Sequence, residues 1–215
     1  EYIQVFLHYV DAEGPYRIHW YDKERQVKNT MCIYSYQRPD NTFLWWKAPN
    51  VFNAIECNHI INLFKGDLEQ ARVGNKQLRE STRKSKVCWI PKTKDYEWIY
   101  LKIFDAIGYA NDHFFNLKLD EIKEEIQFTQ YEEGCHYDWH VDVRAENSRK
   151  LSASLQLSDP ADYDGGDLDF DDKEFVDKNQ GTIIVFPSYM RHRVAPVTRG
   201  TRYALVTWVA GPPLQ

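Results

Sequence analysis

Residues 151–158 read LSASLQLS, an unbroken alternation of apolar and polar side chains. A period of two is the pattern of a β-strand whose two faces meet different surroundings. The leucines and the alanine share one face, which is suited to a core. The other face is polar and suited to line a site; it carries Ser152, Ser154 and Gln156.

Similar short segments fill the chain from about residue 125 onwards. Glycines and prolines separate them, and these residues favour turns. Several short strands at this spacing predict a sandwich or a barrel. The predicted strands span residues 125–131, 150–157, 166–170, 181–186, 192–197 and 201–209.

Two helices and a strand are predicted before residue 125. Residues 51–71 and 95–112 carry apolar side chains at helical spacing, and Asn50 is the candidate N-cap of the first helix. The segment KVCWI, residues 86–90, is the strand candidate between them. The apolar stripes are expected to pack against a sheet, so the expected class is mainly β with packing helices (α+β).

Residues 1–46 are predicted to form a β-rich N-terminal extension, apart from a domain that spans residues 47–215. Residues 3–10 have a two-residue period, turn chemistry follows at 11–15, and further strand candidates lie at 16–21 and 31–36. This part shows no chemical motif. It is interpreted as a lid, a substrate platform or a cover for a sheet edge.

Composition excludes some classes of function. The 215 residues carry a formal net charge of −5, which argues against a general nucleic-acid binder. No apolar run approaches the roughly 20 residues of a membrane span. The four cysteines are widely spaced and form no CxxC pair, which favours reduced thiols in a cytosolic setting. They are Cys32, Cys57, Cys88 and Cys135.

The chemical motif of the chain is Tyr131-x-x-Gly134-x-x-Tyr137-x-x-His140-x-Asp142. Residues two apart on a strand project from the same side, so His140 and Asp142 can reach one ion. His192 lies at the start of a later predicted strand and must be brought in by the fold. Two histidines and a carboxylate are the ligands that bind one face of a non-heme Fe(II) and leave the other face open.

Zinc accepts the same three ligands with a water in the fourth position, and such a site would indicate a hydrolase. Arg202 favours iron over zinc. A planar guanidinium can hold one end of a dicarboxylic keto acid whose other end chelates the metal. The alternative for Arg202 is an ordinary salt bridge.

Three segments resemble the 2-oxoglutarate- and Fe(II)-dependent prolyl hydroxylase superfamily, and among its branches the microbial and viral PKHD-type hydroxylases are the most similar. The resemblance covers about residues 50–215 and is most specific in the last 90 or so positions. It rests on Tyr131–Asp142, on LSDPADYDGGDL at 157–168, and on His192–Trp208.

The resemblance implies a double-stranded β-helix (a jelly roll, cupin-like) over residues 47–215, with helices packed on its larger sheet. It implies that His140, Asp142 and His192 bind iron and that Arg202 binds the C5 carboxylate of 2-oxoglutarate. Four further residues are candidates for contact with the cosubstrate, and one of them, Trp208, matches a family tryptophan near the substrate. For Tyr137 and Trp208, aromatic core packing is the alternative. The four residues are Tyr131, Gln156 (a tyrosine in the animal enzymes), Tyr137 and Trp208.

The implied activity is hydroxylation of an unactivated C–H bond, with Fe(II) as cofactor and 2-oxoglutarate and O2 as cosubstrates. Ascorbate binding is a further expectation. We expect a proline-containing peptide or protein as substrate, no nucleic-acid or membrane partner, and a cytoplasmic location in a microbial or virus-infected cell. The alternatives are a free amino acid or small metabolite as substrate, a metal-dependent hydrolase or isomerase on a cupin-like barrel, and a binding module that has lost catalysis.

Overall fold

The computed structural model describes residues 34–37, 43–71, 81–120, 124–143, 148–171 and 176–212, the first of these ranges as backbone only. Within these ranges the chain forms two antiparallel sheets and two α-helices. The helices are α1 (Ala54–Phe64) and α2 (Glu97–Ala110). The strands are β1 (Tyr34–Gln37), β2 (Phe43–Ala48), β3 (Glu69–Gln70), β4 (Arg83–Lys84), β5 (Lys86–Ile90), β6 (Ile126–Glu132), β7 (His136–His140), β8 (Arg149–Gln156), β9 (Tyr163–Gly165), β10 (Leu168–Phe170), β11 (Ile183–Pro187), β12 (His192–Val194) and β13 (Val197–Ala210).

The larger sheet has the order β1-β2-β11-β8-β13-β6-β5-β3, and β9 pairs with the first part of β13. The smaller sheet has the order β10-β12-β7-β4. Apolar side chains of β2 and β11 pack against those of β10, so one end of the space between the sheets is closed by a core. This is the two-sheet arrangement of a jelly roll.

The two faces of β8 meet different surroundings, as its sequence predicts. Leu151, Leu155 and Leu157 lie in one buried cluster with apolar residues of α1 and α2. Burying a leucine fully contributes about 1.5–3 kcal/mol, so this helix-covered face is a main source of stability. The opposite face carries the polar side chains and turns towards the smaller sheet.

Helix α1 begins later than the sequence suggested, and the prediction of Asn50 as its N-cap is wrong. The N-cap is Asn53, whose side chain accepts a hydrogen bond from the backbone N–H of Glu56 at 2.9 Å, while Glu56 accepts one from the backbone N–H of Asn53 at 2.8 Å. This capping box satisfies two N–H groups at once. Asn50 lies in the preceding turn with φ of 57°.

Helix α1 also ends earlier than predicted, at Phe64, because Gly66 and the following turn interrupt the helix. Helix α2 lies within the predicted range 95–112, and a π-helical turn, Asn111–Phe115, extends it. Strand β5 spans the predicted residues. Strand β13 is longer than predicted because its first residues pair with β9. No helix within the described ranges is long and apolar enough to cross a membrane.

The strands predicted before residue 31 lie outside the described residues. Strand β1 overlaps the third predicted strand of this region. Strand β2 crosses position 46 and pairs with β11, so the larger sheet takes in residues on both sides of the boundary proposed there. The division into 1–46 and 47–215 stays a prediction.

Gly181 joins the start of β11 to the turn before α1. Its φ is +77°, and an added Cβ would lie 1.9 Å from the carbonyl oxygen of Phe52. Replacing Gly181 with alanine is therefore expected to destabilise the fold by more than the roughly 1–3 kcal/mol of a strained backbone alone. Denaturant unfolding measures this loss. Gly66→Ala is the matched control, since nothing lies within 4 Å of its Cβ position; equal stabilities of the two variants would contradict the prediction.

Candidate metal centre and its pocket

Pairing of β7 with β12 brings the predicted metal ligands together. His140 ends β7 and is the register partner of His192, which begins β12. Asp142 follows in the turn after β7, where its backbone N–H donates to the carbonyl oxygen of Ser188 at 2.9 Å. This bond fixes the turn, so the carboxylate points back towards the two imidazoles.

The three side chains form a compact ligand set. One potential ligand atom from each lies within 4.8 Å of the others. The Nε2 atoms of His140 and His192 each lie 3.5 Å from a different oxygen of Asp142. Each Nδ1 lies beside a backbone carbonyl, that of Asp138 at 2.7 Å and that of Met190 at 2.9 Å. An Nδ1–H that donates to a carbonyl leaves the Nε2 lone pair free for a metal, so the cluster fits Fe(II).

The electrostatics of the cluster suit a cation. Burial alone raises the pKa of Asp142, but its contacts with His140 and His192 and the hydrogen bond from Ser152 outweigh burial and hold this pKa well below the ordinary range. Burial lowers the pKa of His192, and the nearby Asp142 carboxylate opposes this effect. An ionised carboxylate and a neutral imidazole are the states that bind metal.

Ser152, on the polar face of β8, orients Asp142. Its hydroxyl donates to Asp142 Oδ2 at 2.7 Å and lies 2.9 Å from the hydroxyl of Ser188. Partners of metal ligands typically contribute roughly 10–100-fold to metal affinity, so Ser152→Ala is expected to weaken Mn(II) or Fe(II) binding by this factor. Calorimetric titration measures it. Ser158→Ala removes a hydroxyl from the end of the same strand region, away from the cluster, and should leave the affinity unchanged; an equal loss in both variants would refute the assignment.

Arg202 lies on β13 and is only 2% exposed. Its Nη2 donates to Gln156 Oε1 at 2.9 Å, and its guanidinium lies 5.5 Å from the ring centroid of Tyr131. Within the described part of the chain, no carboxylate lies within ion-pair distance of Arg202. A buried cation without a counter-charge is costly, so a ligand carboxylate is its natural partner. The alternative of an ordinary salt bridge finds no support among the described residues.

Of the other four predicted site residues, three line a cavity beside the metal ligands and the fourth contacts Arg202. Tyr131, Tyr137 and Trp208 line one cavity of about 300 Å³ together with the ligand cluster and Arg202. This volume is at the lower end of typical small-molecule sites, which span roughly 300–1,000 Å³. The ring of Tyr137 stacks on His140 with centroids 3.5 Å apart. Gln156 accepts a hydrogen bond from Arg202 through its amide oxygen and is not among the residues that line the cavity.

Sequence reasoning missed several residues of the cavity wall. Arg149 packs over Trp208 with its guanidinium carbon 3.8 Å from the ring centroid, and it pairs with Glu124 through two hydrogen bonds. Arg83 and Gln127 form a second polar pair, and Trp89 stands 44% exposed at the rim. The strand predictions at 86–90 and 125–131 include Trp89 and Gln127, but no motif marked either of them as a site residue. Arg83 and Arg149 lie outside the predicted strands and in no motif.

An acidic stretch runs from Asp159 to Asp177. Five of its carboxylates pair with basic side chains, so their charge is locally balanced. The pairs are Asp164 with Arg199, Asp167 with Lys178, Asp169 with Arg193, Asp171 with Arg191 and Asp177 with Lys47.

Comparison with known proteins agrees with this geometry. Residues 126–210 match the sequence profile of the 2OG-Fe(II) oxygenase superfamily. A PKHD-type hydroxylase of Cupriavidus metallidurans is 38% identical over 110 residues, which cover 46% of this chain and 48% of the relative. A PKHD-type hydroxylase of Paraburkholderia phytofirmans is 45% identical over 92 residues, covering 38% of this chain and 40% of the relative. The chain thus spans about half the length of the curated relatives it matches.

Solved prolyl hydroxylases share the fold. A Pseudomonas putida prolyl-4-hydroxylase superposes with a TM-score of 0.63 at 25% identity, covering 79% of this chain and 93% of that one. A Trichoplax adhaerens prolyl hydroxylase, solved in complex with a peptide fragment of the hypoxia inducible factor oxygen degradation domain, gives 0.65 at 17% identity, with 77% and 83% covered. The predicted jelly roll is confirmed.

Two histidines and one carboxylate with open coordination positions are the ligand set typical of non-heme Fe(II) oxygenases. The matched segment, residues 126–210, is similar in sequence to the 2OG-Fe(II) oxygenase superfamily. The expectation of a PKHD-type relationship is confirmed by the curated relatives.

Proposed function

We propose that this protein is a 2-oxoglutarate- and Fe(II)-dependent dioxygenase that hydroxylates an unactivated C–H bond. The observation that carries the proposal is the pairing, in one cavity, of an open three-ligand cluster with a buried cation that has no counter-charge among the described residues. His140, Asp142 and His192 would hold Fe(II), and Arg202 the remote carboxylate of 2-oxoglutarate. Ascorbate binding stays a prediction.

Bound Fe(II) would supply activation of O2 coupled to oxidative decarboxylation of 2-oxoglutarate, with one oxygen atom entering the substrate C–H bond, the other entering succinate, and CO2 released. The chain itself positions the reactants. Arg202 orients the diacid, and Ser152 keeps the Asp142 carboxylate facing the metal site. Apolar side chains, Leu168, Phe186, Val194 and Val206, line the cavity and help to exclude water.

For the substrate we propose a prolyl residue in a peptide or protein. Trp89 and Trp208 lie at the cavity with ring centroids 6.3 Å apart and offer flat apolar surfaces to a small saturated ring. The P. putida neighbour is a prolyl-4-hydroxylase, which supports this class. A free amino acid or a small metabolite is the second candidate, favoured by the modest cavity volume.

The experiment that tests the reaction class compares metals and cosubstrates. The purified protein is incubated with proline-containing peptides, Fe(II) and 2-oxoglutarate, and mass spectrometry follows succinate and the addition of one oxygen atom to the peptide. Both products should depend on O2, Fe(II) and 2-oxoglutarate together. Activity with Zn(II) and no keto acid would instead indicate a hydrolase or isomerase. Binding of 2-oxoglutarate without turnover of any substrate would indicate a binding module.

A further inference from the structure

A second buried cation, Arg83, faces the same cavity. It lies on β4 of the smaller sheet, is 9% exposed and lines the pocket. Its Nε donates to Ser85 Oγ at 3.0 Å and its Nη2 donates to Gln127 Oε1 at 2.9 Å. Both partners are neutral. Within the described residues, no carboxylate lies within ion-pair distance of Arg83.

Arg83 and the metal ligand His140 both contact the ring of Tyr137. The guanidinium carbon of Arg83 lies 4.7 Å from the ring centroid of Tyr137, and that ring also stacks on His140. The two neutral hydrogen bonds hold the planar group in place, and they leave its Nη1 without a hydrogen-bond acceptor in the described part of the chain. A fixed guanidinium is suited to a carboxylate, with which it forms charge-assisted hydrogen bonds.

Arg83 and Arg202 contact different positions of strand β6. Arg202 contacts Tyr131 and Arg83 contacts Gln127, and these two residues lie four positions apart on β6, roughly 13 Å at the rise of a strand. A five-carbon diacid that chelates a metal through its keto-acid end has one carboxylate left. Arg202 takes that carboxylate, and Arg83 remains available to another molecule.

The charges of the cavity lead to the same conclusion. The two charges of Fe(II) and the cation of Arg202 together balance Asp142 and the doubly charged 2-oxoglutarate. Arg149 is balanced by Glu124. Among the described lining residues, Arg83 is the positive charge that remains. Leaving a buried charge unbalanced is unfavourable, so the substrate is expected to bring the compensating anion.

We propose that Arg83 binds a carboxylate of the substrate, located at or next to the residue that is hydroxylated. The inference rests on the proposed function, and it narrows the substrate class to prolyl compounds with a nearby negative charge. The carboxylate can be the terminal carboxylate of a proline or the side chain of an adjacent acidic residue. Arg83 then discriminates between substrates and takes no part in holding the cosubstrate.

The test measures binding to the protein loaded with Fe(II) and 2-oxoglutarate under nitrogen. The probes are two matched pairs: N-acetylproline against N-acetylprolinamide, and acetyl-Pro-Asp-amide against acetyl-Pro-Asn-amide. The wild-type protein should prefer the charged member of at least one pair by about tenfold or more, as expected for a charge-assisted hydrogen bond. The pair that shows the preference identifies the source of the carboxylate. Lack of preference in both pairs, or failure of both charged probes to bind, would overturn the proposal without any variant.

Variants of Arg83 test whether this residue causes the preference for the charged probes. Arg83→Gln should abolish it, Arg83→Lys should retain part of it, and both should bind 2-oxoglutarate within about twofold of wild type. A loss of 2-oxoglutarate affinity in Arg83→Gln would show that Arg83 serves the cosubstrate and would overturn the assignment. Oxygen-dependent succinate formation without any carboxylate preference would contradict only the role of Arg83. Preferential binding of the charged probes without such turnover would contradict only the proposed function.

Discussion

Replacing Asp142 with alanine is expected to abolish metal-dependent turnover and to lower metal affinity below the measurable range. The carboxylate lies between the two imidazoles, 3.5 Å from each Nε2, so its removal leaves two neutral ligands and no negative charge. Alanine at His140 or at His192 should have the same effect. In each case the fold remains, because the cluster lies outside the helix-covered core.

Two measurements check this prediction independently of turnover. A metal at a hundredfold excess over its Kd stabilises the fold by about 2.7 kcal/mol, which thermal unfolding with Mn(II) or Fe(II) can detect. The wild-type protein should show this shift and the three variants should not. His59→Ala is the control, since His59 is exposed on α1 and stacks on Trp98 away from the cluster. A variant at Asp142 that keeps both the thermal shift and succinate formation would show that the metal site lies elsewhere.

The sequence predicted the elements whose pattern is local. The alternation in LSASLQLS assigns each side chain of β8 to a face, because one residue of shift would exchange the core face for the site face. His140 and Asp142 were found for a similar reason, since two residues that bind one ion must project from the same side of a strand. The arrangement of His192 opposite His140 depends on strand pairing, and only the family resemblance anticipated it.

The elements that escaped prediction depend on contacts between distant parts of the chain. Strand β4 has only two residues and therefore no periodicity, yet it positions Arg83 against Gln127, a residue 44 positions later. The ion pairs of the acidic stretch from Asp159 to Asp177 also escaped prediction, because basic partners such as Lys47 and Arg199 lie elsewhere in the sequence. Asn50 was chosen as an N-cap by residue type alone. The N-cap of helix α1 is Asn53 and not Asn50 because Glu56 completes a capping box with Asn53.

Replacing Arg202 is expected to weaken the binding of 2-oxoglutarate and to leave metal binding nearly unchanged. Arg202→Lys keeps the charge and loses the planar fork, and hydrogen bonds to charged groups are worth about 1.5–3 kcal/mol, so 2-oxoglutarate should bind roughly ten- to a hundredfold more weakly. Arg202→Ala should lose more, because alanine removes the positive charge together with every donor to the carboxylate. The affinity for Mn(II) alone should stay within about threefold of wild type, since Arg202 does not belong to the ligand cluster.

A comparison of keto acids shows which end of the cosubstrate Arg202 holds. 2-Oxovalerate has the same chain length as 2-oxoglutarate and lacks the remote carboxylate. The wild-type protein should bind 2-oxoglutarate far more tightly than 2-oxovalerate, and Arg202→Ala should no longer distinguish them. Arg199→Ala is the control on the same strand, because Arg199 is exposed and pairs with Asp164. If Arg202→Ala still preferred the diacid, another cation of the cavity would hold that carboxylate, and Arg83 would be the first to test.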